Sequence, residues 1–244
     1  MRSFEQRIKR SFLFIAFGLS WSMVALLLAR PDLPPQYFLF FACLAPAVSA
    51  VIVHESTTNH SLAHSLFLTA KPTPAWVLSL FIPFVFFGLY IISFPNEFGV
   101  FHQWWFYLFF ITAFLEIGWR GFFQKELEVP SFWLSSITIG VLMACWATPI
   151  LVVFFGLSDF HLLAFAFFFL LIAAPSTFLI SLTKSLFPST ILNGFLLYLL
   201  TLLFTHSDML VVFFALLLML NGITMLAHAV FPHYFTQAFI AKRK

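Results

Sequence analysis

Charge is what this sequence has least of. Only 9% of its 244 residues are Asp, Glu, Lys or Arg, where a soluble domain carries about 25%. That scarcity excludes an ordinary water-soluble domain. Together with 62% hydrophobic residues and a mean hydropathy of +1.02, it reads as an integral membrane protein, with the lipid bilayer as its first partner. Cysteine is nearly missing as well. The two present, Cys43 and Cys145, fall in apolar runs and form no CxxC pair, so packing rather than metal or redox chemistry is expected of them. Period-two alternation is lacking, which excludes a β-barrel. Internal repeats are lacking too, and with them the duplicated, broken mid-membrane helices that a secondary transporter would need. The formal charge of +3 comes from basic residues gathered at the two ends of the chain. These are topology signals, and no nucleic-acid partner is expected.

What the sequence does have is long apolar runs, bounded by Pro, Gly, Asn or charged residues. Eight of them are near the length needed to cross a hydrocarbon core of about 30 Å. They lie at about 11–29, 36–53, 75–94, 104–123, 132–155, 160–181, 188–204 and 209–231, and 36–53 and 188–204 are the short ones. The first resembles a signal sequence, but its run of 19 residues is too long and no A-x-A site follows, so it reads as an uncleaved helix. The expectation is a single membrane domain over 1–244, an all-α polytopic bundle of eight transmembrane helices. Its longest loop falls at about 54–74. Trp76, Trp104, Trp105 and Trp133 lie near span ends, as an interfacial aromatic belt would place them.

Within this greasy chain, Phe114 to Phe123 reads FLEIGWRGFF. Glu116 is the one acidic residue clearly inside a span, and Arg120 is its basic counterpart. A charge near the bilayer centre costs about 2.5–3.5 kcal/mol on insertion scales. At a spacing of four residues the two share a helix face and can pair. Two further stretches stand out: Trp146-Ala147-Thr148-Pro149, and Ser185-Leu186-Phe187-Pro188 leading to Ile191-Leu192-Asn193.

These three stretches resemble the motifs of the CAAX-protease and bacteriocin-processing family of intramembrane proteases (CPBP, or Abi). Its first motif, EExxxR in a setting such as EEIGWRGF, is similar to the segment around Glu116 and Arg120. Its second, FxxxH in a WHxP setting, is similar to Trp146–Pro149. Its third, SLxPAIxxHxxxN, is similar to the segment from Ser185 to Asn193. Ala45-Pro46-Ala47-Val48-Ser49-Ala50 also resembles the family's second helix, and the likeness is best over about 104–200. It implies an eight-helix bundle, a bacterial cytoplasmic membrane, and a site on the cytoplasmic side whose relatives serve peptide maturation and bacteriocin self-immunity.

The likeness stops where the family's chemistry lies. The first Glu of EExxxR is Leu115 here, the second-motif His is Ala147, the third-motif His is Asn193, and the Asn four residues later is Leu197. Leu and Ala offer no lone pair, and Asn193 forms hydrogen bonds but does not titrate. General base catalysis needs a proton acceptor, so no catalytic residue is expected; Glu116 is the sole residual candidate, and its oxygens are expected to be engaged by Arg120. The resemblance with these losses implies a pseudoenzyme that binds a membrane peptide, a partner protein or a lipid tail. The alternatives are an active endopeptidase with relocated residues, and an unrelated transporter or structural protein. No cofactor is expected, and zinc would enter only with an active protease.

His60 and His64 form the weak metal candidate. HSLAH on a helix would put two imidazoles on one face, but no HExxH and no third ligand accompanies them. Asn221 and His228 share a face of the last span and are expected to bond between helices.

The basic residues fix an orientation. Arg2, Arg7, Lys9, Arg10, Lys71, Lys125, Lys184, Lys242, Arg243 and Lys244 fall on one side of an eight-span chain, and Arg30 alone on the other. Both termini are therefore expected in the cytoplasm. A reporter fused at the C-terminus should be active only in its cytoplasmic form, and a signal from the far side would overturn the eight-span arrangement.

Overall fold

In hydrocarbon every backbone N–H and C=O must be satisfied within the protein, so an apolar run that crosses a membrane becomes a helix. The computed structural model describes residues 2–55, 76–94, 104–127, 131–157, 159–204 and 207–232, and every element among them is helical. In chain order these are α1 (Arg2–Ala29), α2 (Pro35–Glu55), α3 (Trp76–Ser93), α4 (Trp104–Glu116), α5 (Phe132–Phe155), α6 (Asp159–Thr183), α7 (Phe187–Leu203) and α8 (Ser207–Val230). Helix α4 does not end at Glu116. It runs on through a π-helical segment, Ile117–Phe123, into a last α turn, Gln124–Glu126.

Six of the described helices are long and apolar enough to cross a membrane, and the chain is an integral membrane protein of the all-α class. The other two elements depart from the simple pattern for different reasons. Helix α4 is interrupted by its π segment. Helix α7 has only 17 residues and packs against α3, α4, α6 and α8. Most of its side chains are buried, including Leu192, Leu196 and Leu200. Large apolar side chains on the outer helices, such as Phe14, Ile92 and Val211, are instead exposed, as lipid contact requires.

Local chemistry sets the helix ends. Ser131 caps α5 by accepting from the backbone N–H of Leu134 at 3.3 Å, and Gly156 ends it at φ 59, donating to the carbonyl of Val152 at 3.0 Å. A left-handed residue suits Gly because it has no Cβ. Pro46, Pro83, Pro149 and Pro175 lie inside α2, α3, α5 and α6, which buried helices in a membrane tolerate.

On the side of the N-terminus the interior is aromatic and full. Phe12 stacks on Phe123 with centroids 4.9 Å apart and meets Trp119 edge-on at 5.5 Å. Lys9 Nζ donates to the Leu127 carbonyl at 3.2 Å, placing the start of α1 beside the end of α4. Deeper in, Trp146 Nε1 donates to Ser20 Oγ, which donates to the Ala42 carbonyl, both at 2.7 Å. That chain of bonds joins α5, α1 and α2. Cys43 is buried, Cys145 is exposed, and both thiols are free.

Gly118 packs tightly against α2. A Cβ on Gly118 would lie 2.5 Å from Pro46 backbone and side-chain atoms, so only hydrogen fits. Gly118→Ala should therefore cost about 1–3 kcal/mol through overpacking, whereas Gly222, with nothing within 4 Å of a built Cβ, should accept Ala with little change. Thermal unfolding of both variants in detergent checks this, and equal midpoints would refute the close contact.

Candidate functional site

The FLEIGWRGFF segment becomes a helix with an abrupt change of winding. The backbone N–H of Gln124 reaches the carbonyl of Trp119, the five-residue spacing of a π turn, and such turns gather at functional sites. The wide turn begins just after Glu116 and carries Arg120. Both side chains are fully buried and form an ion pair through Arg120 Nη1 and Glu116 Oε1.

The carboxylate is also held from α7. Ser189 Oγ donates to Glu116 Oε2, and Asn193 Nδ2 donates to Oε1 at 2.6 Å. Asn193 Oδ1 in turn accepts from Ser176 Oγ of α6 at 3.0 Å. These partners fix the amide orientation, since nitrogen faces the carboxylate and oxygen faces a hydroxyl. One charge thus draws three helices to a point. The guanidinium is less fully used: among the described residues Arg120 Nε and Nη2 have no hydrogen-bond partner, nor has Trp119 Nε1. Nearby, Gln124 Nε2 donates to Thr177 Oγ1 at 3.0 Å and to Ser135 Oγ at 3.2 Å, which extends the polar layer between α4, α5 and α6.

The four positions where the resemblance leads one to look for reactive groups converge only in part. Leu115, Ala147 and Leu197 line one cavity of about 440 Å³. Asn193 does not reach it. With Leu115, Glu116 and Leu197 it borders a separate crevice of about 10 Å³. Leu115 and Leu197 therefore form a floor, with the cavity on one side and the carboxylate network on the other.

The sequence reading puts the site on the same side of the membrane as the N-terminus, and the cavity lies instead at the opposite end of the bundle. Its lining comes from the start of α2 (Leu39, Cys43), the start of α4 (Leu108, Ile111) and the last turns of α5 and α7. All of these lie at the end of the bundle away from the N-terminus. On the N-terminal side Trp119, Arg120, Phe12 and Phe123 are among the largest fully buried side chains and fill the interior. Toward the other end Leu115, Ala147 and Leu197 stand with Trp146, Phe165 and Phe169 around a space that they do not fill.

Sequence reasoning missed Ser176 and Ser189. Ser189 and Asn193 stand four residues apart, a spacing that puts two polar groups on one helix face and marks a polar partner. Asn221 does bond between helices, donating to the Leu171 carbonyl of α6 at 2.7 Å, and the ring of His228 lies 5.8 Å from that of Phe132. His60 and His64 lie outside the described residues. Among the described residues no three His, Cys, Asp or Glu side chains come together as metal ligands would. No protein-family model matches this chain, and no curated protein matches it.

The network generates a stability prediction. Glu116→Gln or Arg120→Met leaves one charge buried without its counterion and should cost about 3–5 kcal/mol. The double variant, which buries no charge, should lose less than the two single losses added together. A double-mutant cycle on thermal stability in detergent measures the difference, and strict additivity would show the pair to be uncoupled.

Proposed function

We propose that this chain is a catalytically silent relative of the CAAX-type intramembrane proteases, with eight spans and both termini in the cytoplasm, acting by binding an apolar membrane ligand. One observation carries the reading. Three of the positions at which the resemblance would put water-activating or supporting groups, Leu115, Ala147 and Leu197, face a cavity with apolar side chains. No member of that set can take a proton from water. The fourth, Asn193, is committed to the Glu116 carboxylate and to Ser176.

The rival reading makes Glu116 the base of an active endopeptidase. Its oxygens already accept from Arg120, Ser189 and Asn193, and Leu115 and Leu197 separate it from the cavity. A water and a scissile carbonyl would both need hydrogen-bond reach of that carboxylate, and this packing opposes it. Binding asks for none of this chemistry, and a cavity of about 440 Å³ is within the usual range for ligand sites.

The test is a cleavage assay with purified protein and peptides that active family members process. Wild type should give no turnover. The fourfold variant Leu115→Glu, Ala147→His, Asn193→His, Leu197→Asn is the gain-of-function arm, and turnover in it alone would support both the family assignment and the loss of activity. Wild-type turnover abolished by Glu116→Gln would overturn the reading.

A further inference from the structure

The ligand class can be narrowed from the cavity itself. We infer that it holds a single acyl chain of a bilayer lipid, entering from the end of the bundle opposite the N-terminus. This deepens the binding role proposed above by naming its ligand, and it does not depend on the protease resemblance.

Size excludes a partner helix. Along α7 the lining runs from Leu197 to Phe204, and along α5 from Trp146 to Phe155, so the slot is about 10–14 Å long at 1.5 Å per residue. A partner helix that spans a hydrocarbon core of about 30 Å is more than twice that length. An extended peptide is thin enough, since strands pack about 4.8 Å by 10 Å apart.

Polarity excludes the peptide and water. Every peptide unit brings an N–H and a C=O that must find partners when buried. The lining has one hydroxyl, Thr201, and it already donates to the Tyr198 carbonyl at 2.6 Å. The Trp146 indole N–H is engaged by Ser20. A buried water needs two to four polar partners, and the lining side chains offer only the acceptor lone pairs of Thr201. A hydrocarbon chain needs none.

Place supplies the ligand. The cavity lies within a bundle whose surroundings are lipid, and Phe155 at its rim is half exposed. Apolar transfer from lipid into the slot brings no hydrophobic gain, since the tails are as apolar as Leu. The gain is packing: an unfilled slot forfeits the dispersion contacts of its lining, and a chain that enters restores them.

The experiment uses the full chain in phosphatidylcholine vesicles doped with a phospholipid that carries a photoreactive diazirine near the end of one acyl chain. After irradiation the labelled residues are mapped by mass spectrometry. Label is expected on cavity residues such as Leu115, Ala147 and Leu197 in addition to lipid-facing residues such as Phe14 and Ile92. Ala147→Trp, which fills the slot, should abolish cavity label and leave the outer label unchanged. Leu197→Phe serves the same purpose if the first variant does not fold. Label confined to the outer faces in wild type, cavity label unaffected by filling the slot, or a peptide crosslinked there in place of lipid would each overturn the inference. A positive cleavage assay with intact acyl label would instead sink the silent-protease reading alone.

Discussion

The Glu116 carboxylate is the constraint around which the rest of the bundle is arranged. A charge in the membrane interior has no water to turn to, so protein groups must meet its lone pairs. Arg120 of the same helix, Ser189 and Asn193 of α7 and, through Asn193, Ser176 of α6 do so. Each bond fixes the height and rotation of one helix relative to another, which apolar packing alone does loosely. The short α7 thereby becomes central, tied to α4 by the carboxylate and surrounded by other helices. The π segment belongs to the same arrangement. It follows Glu116 directly, carries Arg120, and puts Gly118 against Pro46 so closely that a methyl group has no room.

The polar ties between helices stand directly beside the cavity. Helices α4, α6 and α7 are held together at the carboxylate, and α1, α2 and α5 are tied by the Trp146, Ser20 and Ala42 bonds. Trp146 and Leu115, the neighbour of Glu116, both line the cavity, so the helices are held at its edge. Trp119, Phe12 and Phe123 fill the interior of the N-terminal half, while Ala147, Leu115 and Leu197 share the cavity wall with Trp146, Phe165 and Phe169.

Much of this was legible in the residues, and the limits follow from what a linear pattern encodes. The run read as 132–155 is Phe132–Phe155, and that read as 160–181 lies inside Asp159–Thr183, because hydrophobic length and capping residues are local signals. The Glu116–Arg120 pair was legible because a four-residue spacing defines a shared face. The π winding was not, since Ile117–Phe123 carries no residue type that demands a five-residue hydrogen bond. Nor was the cavity's side. Periodicity tells which face of a helix turns inward, but whether the facing side chains fill the gap depends on partners far apart in sequence, such as Leu115 with Ala147 and Leu197.

On the proposed reading, the contrast between what matches the family pattern and what departs from it has a physical cause. Glu116 and Arg120 are mutually dependent: replacing either alone leaves a lone charge in a dry interior, one of the most destabilising single changes available. Gly118 is similarly confined by Pro46. Leu115, Ala147 and Leu197 border a cavity instead, where an apolar group is more comfortable than a charged or polar one. A bundle of this kind can therefore exchange reactive groups for hydrocarbon at the cavity while its buried ion pair stays in place. The same exchange converts a wall suited to holding water into one suited to holding an alkyl chain.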